Sequence, residues 1–308
     1  MPVDVTQPLV AYLHGKALFS ADDVTAVVFL RLLFPKVTVV LCTASPQIKA
    51  SNHVYINFGR VYHPEQGLFD RANNTQSFSD KHTTSMGASG MIWKEFGRRI
   101  VLKFGGKDDD DYIFNTVYSD FVRVIEQTAE LRFNMPASFV LLINSFNTIS
   151  DMDKSGNIFS AIAAAEPIVH RLVQACVLRA NVYLTELATM EHAFETRPAE
   201  HILVLPAVCH SALLFLAEND RLREVEFIIQ PRDVDNDTWQ VWSLGDKQLL
   251  PPTTTQDVLR HRLKFMQDDR KLAVTLTRSS ALWLAQTSYD VHYSMFNYPL
   301  RLFKMFFA

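Results

Sequence analysis

Cysteine is scarce. The 308 residues hold three, Cys42, Cys176 and Cys209, far apart and without a C-x-x-C pair. That excludes a disulfide framework and a cysteine-rich zinc site, and leaves buried free thiols as the expectation. Long apolar runs are also missing. No stretch reaches about 18 uninterrupted apolar residues, so no membrane span is expected. Basic excess is lacking too: 30 Lys and Arg stand against 33 Asp and Glu, a formal charge of −3 with a pI near 6.4. A broad, strong grip on free nucleic acid needs clustered cations and is not expected, although a local basic patch stays open. Met1–Gln7 carries neither a basic residue nor an apolar segment, so no secretory signal or Arg-rich presequence is expected. There is no internal repeat, no G-x-x-x-x-G-K-[ST] and no G-x-G-x-x-G, which removes the standard phosphate-cradling loops.

What is present is a chain 48% hydrophobic and 20% charged, ordinary for a globular protein. Leu9–Leu13 reads as a buried strand. Asp22 and Asp23 open a helix that ends near Pro35, because carboxylates suit a helix N-terminus and proline stops the next turn. Val37–Thr43 is β-branched and continuous, as a central parallel strand should be, and His53–Phe58 reads as another strand. Met86–Phe96 reads as a helix closed by Gly97. This alternation predicts an α/β domain with a mainly parallel sheet over residues 1–150. Residues 151–308 then hold one long helical tract or two (Asn157–Phe194) and a smaller α/β domain. Its strands are read at Ile202–Leu205, Val225–Ile229, Trp239–Trp242 and Leu272–Leu276, with helices at Ser211–Ala217 and Thr255–Met266. Tyr112–Phe133 reads as a helix, and the aspartates in Lys107–Asp111 as a solvated loop or helix start. Ligands of open α/β sheets sit at the carboxyl ends of the strands. That directs attention to His14–Asp23, Asn57–Gln76 and Asn144–Asn147.

Three segments carry a resemblance. The first is Met86-Gly87-Ala88-Ser89-Gly90-Met91-Ile92-Trp93-Lys94-Glu95-Phe96-Gly97-Arg98. The second joins Tyr62-His63-Pro64-Glu65, Phe69-Asp70-Arg71-Ala72-Asn73 and Ser77-Phe78. The third is Trp239-Gln240-Val241. In order and spacing they resemble the melanocyte-proliferating-gene-like (MYG-type) metal-dependent exonucleases, a branch of the DHH-type phosphoesterases, from about residue 9 to residue 288. The resemblance implies a DHH-phosphoesterase-like first domain and a second domain of the substrate-binding type.

The resemblance also implies a metal site, and here this chain departs from it. Against the family's T-H-N-G-T-F-H-C-D-E, the first His falls on Gly15, the second becomes Ser20, the Asp is kept as Asp22, and the Glu becomes Asp23. An aspartate becomes Asn57. In D-H-H-Q, Asp70 is kept while the His pair becomes Arg71 and Ala72. Two later aspartates become Asn144 and Asn147. A two-metal hydrolytic site needs several anionic ligands to offset roughly four positive charges, and imidazoles for manganese or iron. Asp22 and Asp70 alone do not supply them. Arg71 then either bridges Asp22 and Asp70 in place of a metal or turns to solvent. The glycine-rich substrate loop is replaced by Arg278-Ser279-Ser280-Ala281-Leu282-Trp283-Leu284-Ala285. There Arg278 is either an anion contact or a surface residue.

Two functions follow as expectations. One is a pseudoenzyme with no catalytic residue and no cofactor. It would act as a binding or scaffold subunit with protein partners, in the preferred setting of an RNA-containing complex for RNA processing or ribosome assembly. The aromatic tail Phe296–Ala308, with Phe303, Phe306 and Phe307, would suit such contacts. The other is an active 3′–5′ RNA exonuclease or phosphoesterase with a rearranged Mn or Mg site built from His14, Asp22, Asp23, His63 and Asp70. By resemblance the setting is mitochondrial or nuclear and cytoplasmic. The bland alternative for His63 is a loop histidine.

Overall fold

A computed structural model describes residues 8–15, 19–43, 52–58, 61–70, 76–80, 82–106, 111–128, 137–148, 154–222, 224–232, 238–244, 271–275, 278, 281–282 and 285–286. The chain divides into two compact units, Met1–Asn181 and Val182–Ala308.

The first unit is built on a five-stranded sheet. Its strands are β1 (Val10–His14), β2 (Thr38–Cys42), β3 (His53–Ile56), β4 (Tyr62–His63) and β5 (Leu68–Phe69), in the order β2-β1-β3-β5-β4. β1, β2, β3 and β5 run parallel, and β4 closes the edge antiparallel to β5. The fold is therefore α/β with a mainly parallel sheet. β2 lies at the edge, not at the centre as its continuous apolar run suggests; Thr38 on it is exposed. β1 leads to β2 on one side, and the chain then returns as β3 on the other. The strand order thus reverses between β1 and β3, and a crevice opens at such a switch point outside the carboxyl ends.

α1 (Ala21–Leu33) starts where Ser20, extended, accepts the Asp23 backbone N–H, while the Asp23 side chain accepts that of Ser20. This reciprocal pair satisfies two donors that a helix start leaves open. The rest of α1 is apolar on nearly every side, and Val24 through Leu30 are fully buried, so α1 is a central element. It packs on α2 (Ala88–Lys103). Gly97 does not end α2 as its type suggests. It sits inside the helix because a Cβ there would come 2.7 Å from the Trp93 ring and 2.8 Å from the Phe114 ring. Close aromatic packing, and not a left-handed cap, is what requires glycine.

β6 (Ser77–Ser79) and β7 (His82–Ser85) form a small hairpin before α2. α3 (Asp111–Val117) continues through a π-helical turn at Tyr118–Val122 into α4 (Arg123–Thr128), and α5 (Ala137–Ser145) ends in a tight turn at Phe146–Thr148. α6 (Lys154–Glu195) is one helix that runs through Pro167. By length and composition Asn157–Glu195 could cross a membrane. Its buried residues Ile158, Ala161, Ile162, Ala165, Val169, Val173, Val177 and Ala180 recur at helical spacing, the pattern of an amphipathic helix packed within the protein.

The second unit carries β8 (Ile202–Val204), α7 (Ala212–Glu218), β9 (Phe227–Pro231), β10 (Trp239–Ser243) and β11 (Lys271–Thr275). The sheet order is β11-β10-β9-β8, parallel only between β8 and β9. Ala281 and Ala285, one helical turn apart, are buried with Ile202, Val204, Phe227, Ile229 and Val241. The described residues of the segment in the place of a glycine loop, Arg278, Ala281, Leu282 and Ala285, are helical, and Arg278 is exposed. The helix expected at Thr255–Met266 and the tail Phe296–Ala308 lie outside the described residues.

Candidate functional site

The carboxyl ends of β1, β3 and β5 bring together much of what the sequence singled out. His14 ends β1 opposite Cys42, and Gly15 follows with its N–H on the Cys42 carbonyl at 2.8 Å. Asn57 follows β3 and donates its backbone N–H to the Phe69 carbonyl at 2.8 Å, next to Asp70. Among the described residues Asn57 is one of two non-glycine residues with positive φ, at 62°. Asparagine tolerates that region better than most residues, and such a conformation often marks a functional position.

The side chains are committed to one another. Asn57 Nδ2 donates to Asp23 Oδ1 at 2.5 Å, while Asp23 Oδ2 accepts the Ser20 N–H and the Ser20 hydroxyl, each at 2.9 Å. Asn147, in the turn after α5, accepts the Phe19 N–H at 3.2 Å and donates to the Phe19 carbonyl at 2.8 Å. An aspartate could accept the first of these bonds but could not donate the second. Both asparagines use the one group, the amide N–H, that a carboxylate lacks.

Asp22 points elsewhere. It is 7% exposed, and its carboxylate accepts the backbone N–H of Ala88 at 2.7 Å, that of Ser89 at 2.9 Å, and the Ser89 hydroxyl. Burial raises its pKa above the ordinary value, the neighbouring Asp23 adds to the rise, and the Ser89 and Ala88 bonds oppose it. Glu126 on α4 accepts the Gly87 N–H at 2.6 Å and the Tyr118 hydroxyl at 2.8 Å. Two buried carboxylates from α1 and α4 thus hold the start of α2, where unpaired N–H groups and the helix dipole favour negative charge. Glycines make room for them. A Cβ at Gly87 would fall 2.6 Å from Asp22 Oδ2, and one at Gly90 would fall 1.9 Å from Glu126 Oε1. Gly90→Ala is expected to push Glu126 off the Gly87 N–H and to lower stability by about 2 kcal/mol in denaturant unfolding. An unchanged midpoint would mean that Glu126 holds nothing there.

His14 Nδ1 is buried with no hydrogen-bond partner, and its ring lies 5.1 Å from that of Phe58. Asp70 is buried. Asn144 is exposed on α5. His63 is exposed and pairs with Leu68, whereas Asp70 donates its backbone N–H to the Val61 carbonyl at 3.1 Å. Because β4 runs antiparallel, its carboxyl end and His63 point away from the Asp70 edge of the sheet. Arg71 and Ala72, and with them the bridge from Arg71 to Asp22 and Asp70, lie outside the described residues. Glu126 was not singled out from the sequence. The glycines at 87 and 90, which leave room for it, were its one signal.

Among the described residues no three His, Cys, Asp or Glu side chains form a group able to hold a metal ion. With Asn57 and Asn147 donating as amides and Asp22 bound to α2, the described residues do not fit a two-metal centre.

Residues 14–249 match a family model described as "Uncharacterised protein family (UPF0160)", MYG1_exonuc. The chain belongs to this family. Its curated relatives match at low identity. The MYG1 protein of Dictyostelium discoideum is 24% identical over 113 residues, and the MYG1 protein YER156C of Saccharomyces cerevisiae is 26% identical over 120. Each match covers 35% of this chain and 34% of the relative, so about a third of the curated MYG1 proteins is spanned. The crystal structure of exonuclease RecJ bound to manganese superimposes with a TM-score of 0.27 at 12% identity, over 83% of this chain and 81% of that one. RecJ from Thermus thermophilus in complex with Mn2+ gives 0.27 at 13%, over 84% and 48%. At such scores the fold of this MYG1-family chain rests on its own strand order.

Proposed function

We propose that this MYG1-family, DHH-like phosphoesterase relative has given up two-metal hydrolysis and serves as a binding or scaffold subunit. The observation that supports the reading most is the Asn57–Asp23 hydrogen bond at 2.5 Å. An amide donor satisfies Asp23 with a hydrogen bond, where a second carboxylate would add a like charge and call for a metal or a proton between them. Asn147 on the Phe19 backbone and Asp22 on the α2 start support it in the same way. Protein partners, within an RNA-containing complex for RNA processing or ribosome assembly, are the setting that the family resemblance suggests. No resident cofactor belongs to this reading.

A second reading has one observation in its favour. The unpartnered His14 Nδ1 at the switch point is an imidazole nitrogen free to bind a metal. With Asp23 and Asp70 it would form part of a rearranged Mn or Mg site in an active 3′–5′ RNA exonuclease; exposed His63 on β4 speaks against the full set.

The deciding measurement is manganese titration by calorimetry together with hydrolysis of a short oligoribonucleotide. Asp23→Ala is the control variant, because Asp22→Ala would disturb α2 itself. The scaffold reading expects neither stoichiometric manganese nor turnover. Turnover that needs manganese and is lost in Asp23→Ala would establish the enzyme instead.

A further inference from the structure

We infer that the outer face of the second half of α2, together with the end of α1, is a docking surface for an acidic, partly apolar peptide segment of a partner protein. The inference names the partner chemistry for the scaffold reading and rests on it. Three cations meet there. Arg99 places its guanidinium 5.4 Å from the centre of the Phe34 ring, just after the end of α1. Lys103 Nζ donates to the Leu32 carbonyl at the same helix end. Lys36, two residues beyond Phe34, is exposed. Among the described residues none of the three is ion-paired. The nearby carboxylate Glu166 is taken by Arg31 at 3.0 Å, and Glu95, one turn before Arg99, makes no ion pair with it. A chain of net charge −3 thus keeps a basic spot there that no described carboxylate pairs.

A helix C-terminus attracts cations, and that accounts for Lys103. It does not account for Leu102, which stands 41% exposed between Arg99 and Lys103. Nor does it account for the aromatic groups at the rim, half-buried Phe34 and the Phe104–His170 pair with ring centres 4.8 Å apart. Cations interleaved with aliphatic and aromatic surface suit carboxylates alternating with apolar side chains. A phosphate backbone would use the charges and leave Leu102 idle.

The test uses the full chain and fluorescence polarisation with three labelled probes of equal charge: a peptide alternating Glu with Leu, one alternating Glu with Ser, and a single-stranded oligonucleotide. Expected is preferential binding of the Glu/Leu peptide, weakened about tenfold by Arg99→Glu with Lys103→Glu and about threefold by Leu102→Ser. Unfolding midpoints of the variants, read in parallel, separate lost binding from lost folding; a double variant that does not fold is replaced by Lys36→Glu with Leu102→Ser, for which the same loss is expected. The inference is overturned if the Glu/Leu peptide does not bind, if its binding survives the charge reversals, or if the Glu/Ser peptide or the oligonucleotide binds as tightly. None of these readouts depends on whether the chain hydrolyses RNA.

Discussion

Replacing Asp22 by alanine is expected to destabilise the first unit by about 3 kcal/mol, seen as a fall in thermal midpoint of roughly 6–10 °C. The loss has a definite origin. The substitution removes a buried carboxylate and leaves the Ala88 and Ser89 N–H groups and the Ser89 hydroxyl without their acceptor at the start of α2. Buried donors left unmade cost more than the net worth of an ordinary hydrogen bond. Asp22→Asn keeps one acceptor oxygen and should fall between wild type and alanine. The pH dependence has a fixed sign. The folded-state pKa of Asp22 is raised above 3.8, chiefly by burial and next by Asp23, so the folded protein holds this proton more tightly than the unfolded chain. The proton-linked part of the Asp22 contribution is therefore fully present below the unfolded value and is lost as pH rises through the folded one. Wild type should gain on Asp22→Asn as pH is lowered from neutrality toward about 4, the unfolded value of an aspartate. Equal midpoints for wild type and Asp22→Ala would show that the residue does not hold α2.

Asn57→Asp is the reversal toward the family pattern, and it is expected to weaken the protein by about 2 kcal/mol in EDTA at neutral pH. It deletes the donor 2.5 Å from Asp23 Oδ1 and puts a like charge in its place. The loss should shrink as pH falls and one of the two carboxyls takes a proton. It should also shrink on adding manganese, because Asp23 and the new carboxylate then face each other where an amide stood; wild type should not respond to manganese. Thermal unfolding of both proteins, with EDTA and with manganese, reads all of this. A variant as stable as wild type in EDTA would sink the view that the amide stands in for a cation.

Much of this was legible before folding. Alternation of strands and helices, with Asp22 and Asp23 at a helix start, was enough for an α/β unit with a mainly parallel sheet. The carboxyl-end rule was enough to point to His14, Asn57 and Asp70, which follow or end β1, β3 and β5, whereas Asn147 lies in the turn after a helix. The edge position of β2 was not legible, because an apolar run reads the same in a central strand and in an edge strand that is half covered. Gly97 misled for a related reason: glycine serves a helix end and a ring packed against a helix equally well, and only Trp93 and Phe114 in place distinguish them.

The substitutions of carboxylate and imidazole by amide, serine and arginine are a matter of residue identity, so the proposed loss of a charge-rich site rests on the positions that the family resemblance pairs. Partner choice could not be read from residue identity. Asp22 and Asp23 are adjacent in the chain, yet about 100° of helix rotation separates them. One turns to the start of α2, 66 residues away, and the other to Asn57. That Asp22 became the anchor of a helix, with Glu126 beside it, was decided only when α1, α2 and α4 packed together, since hydrogen bonds between distant residues follow from the path of the backbone and not from the local sequence.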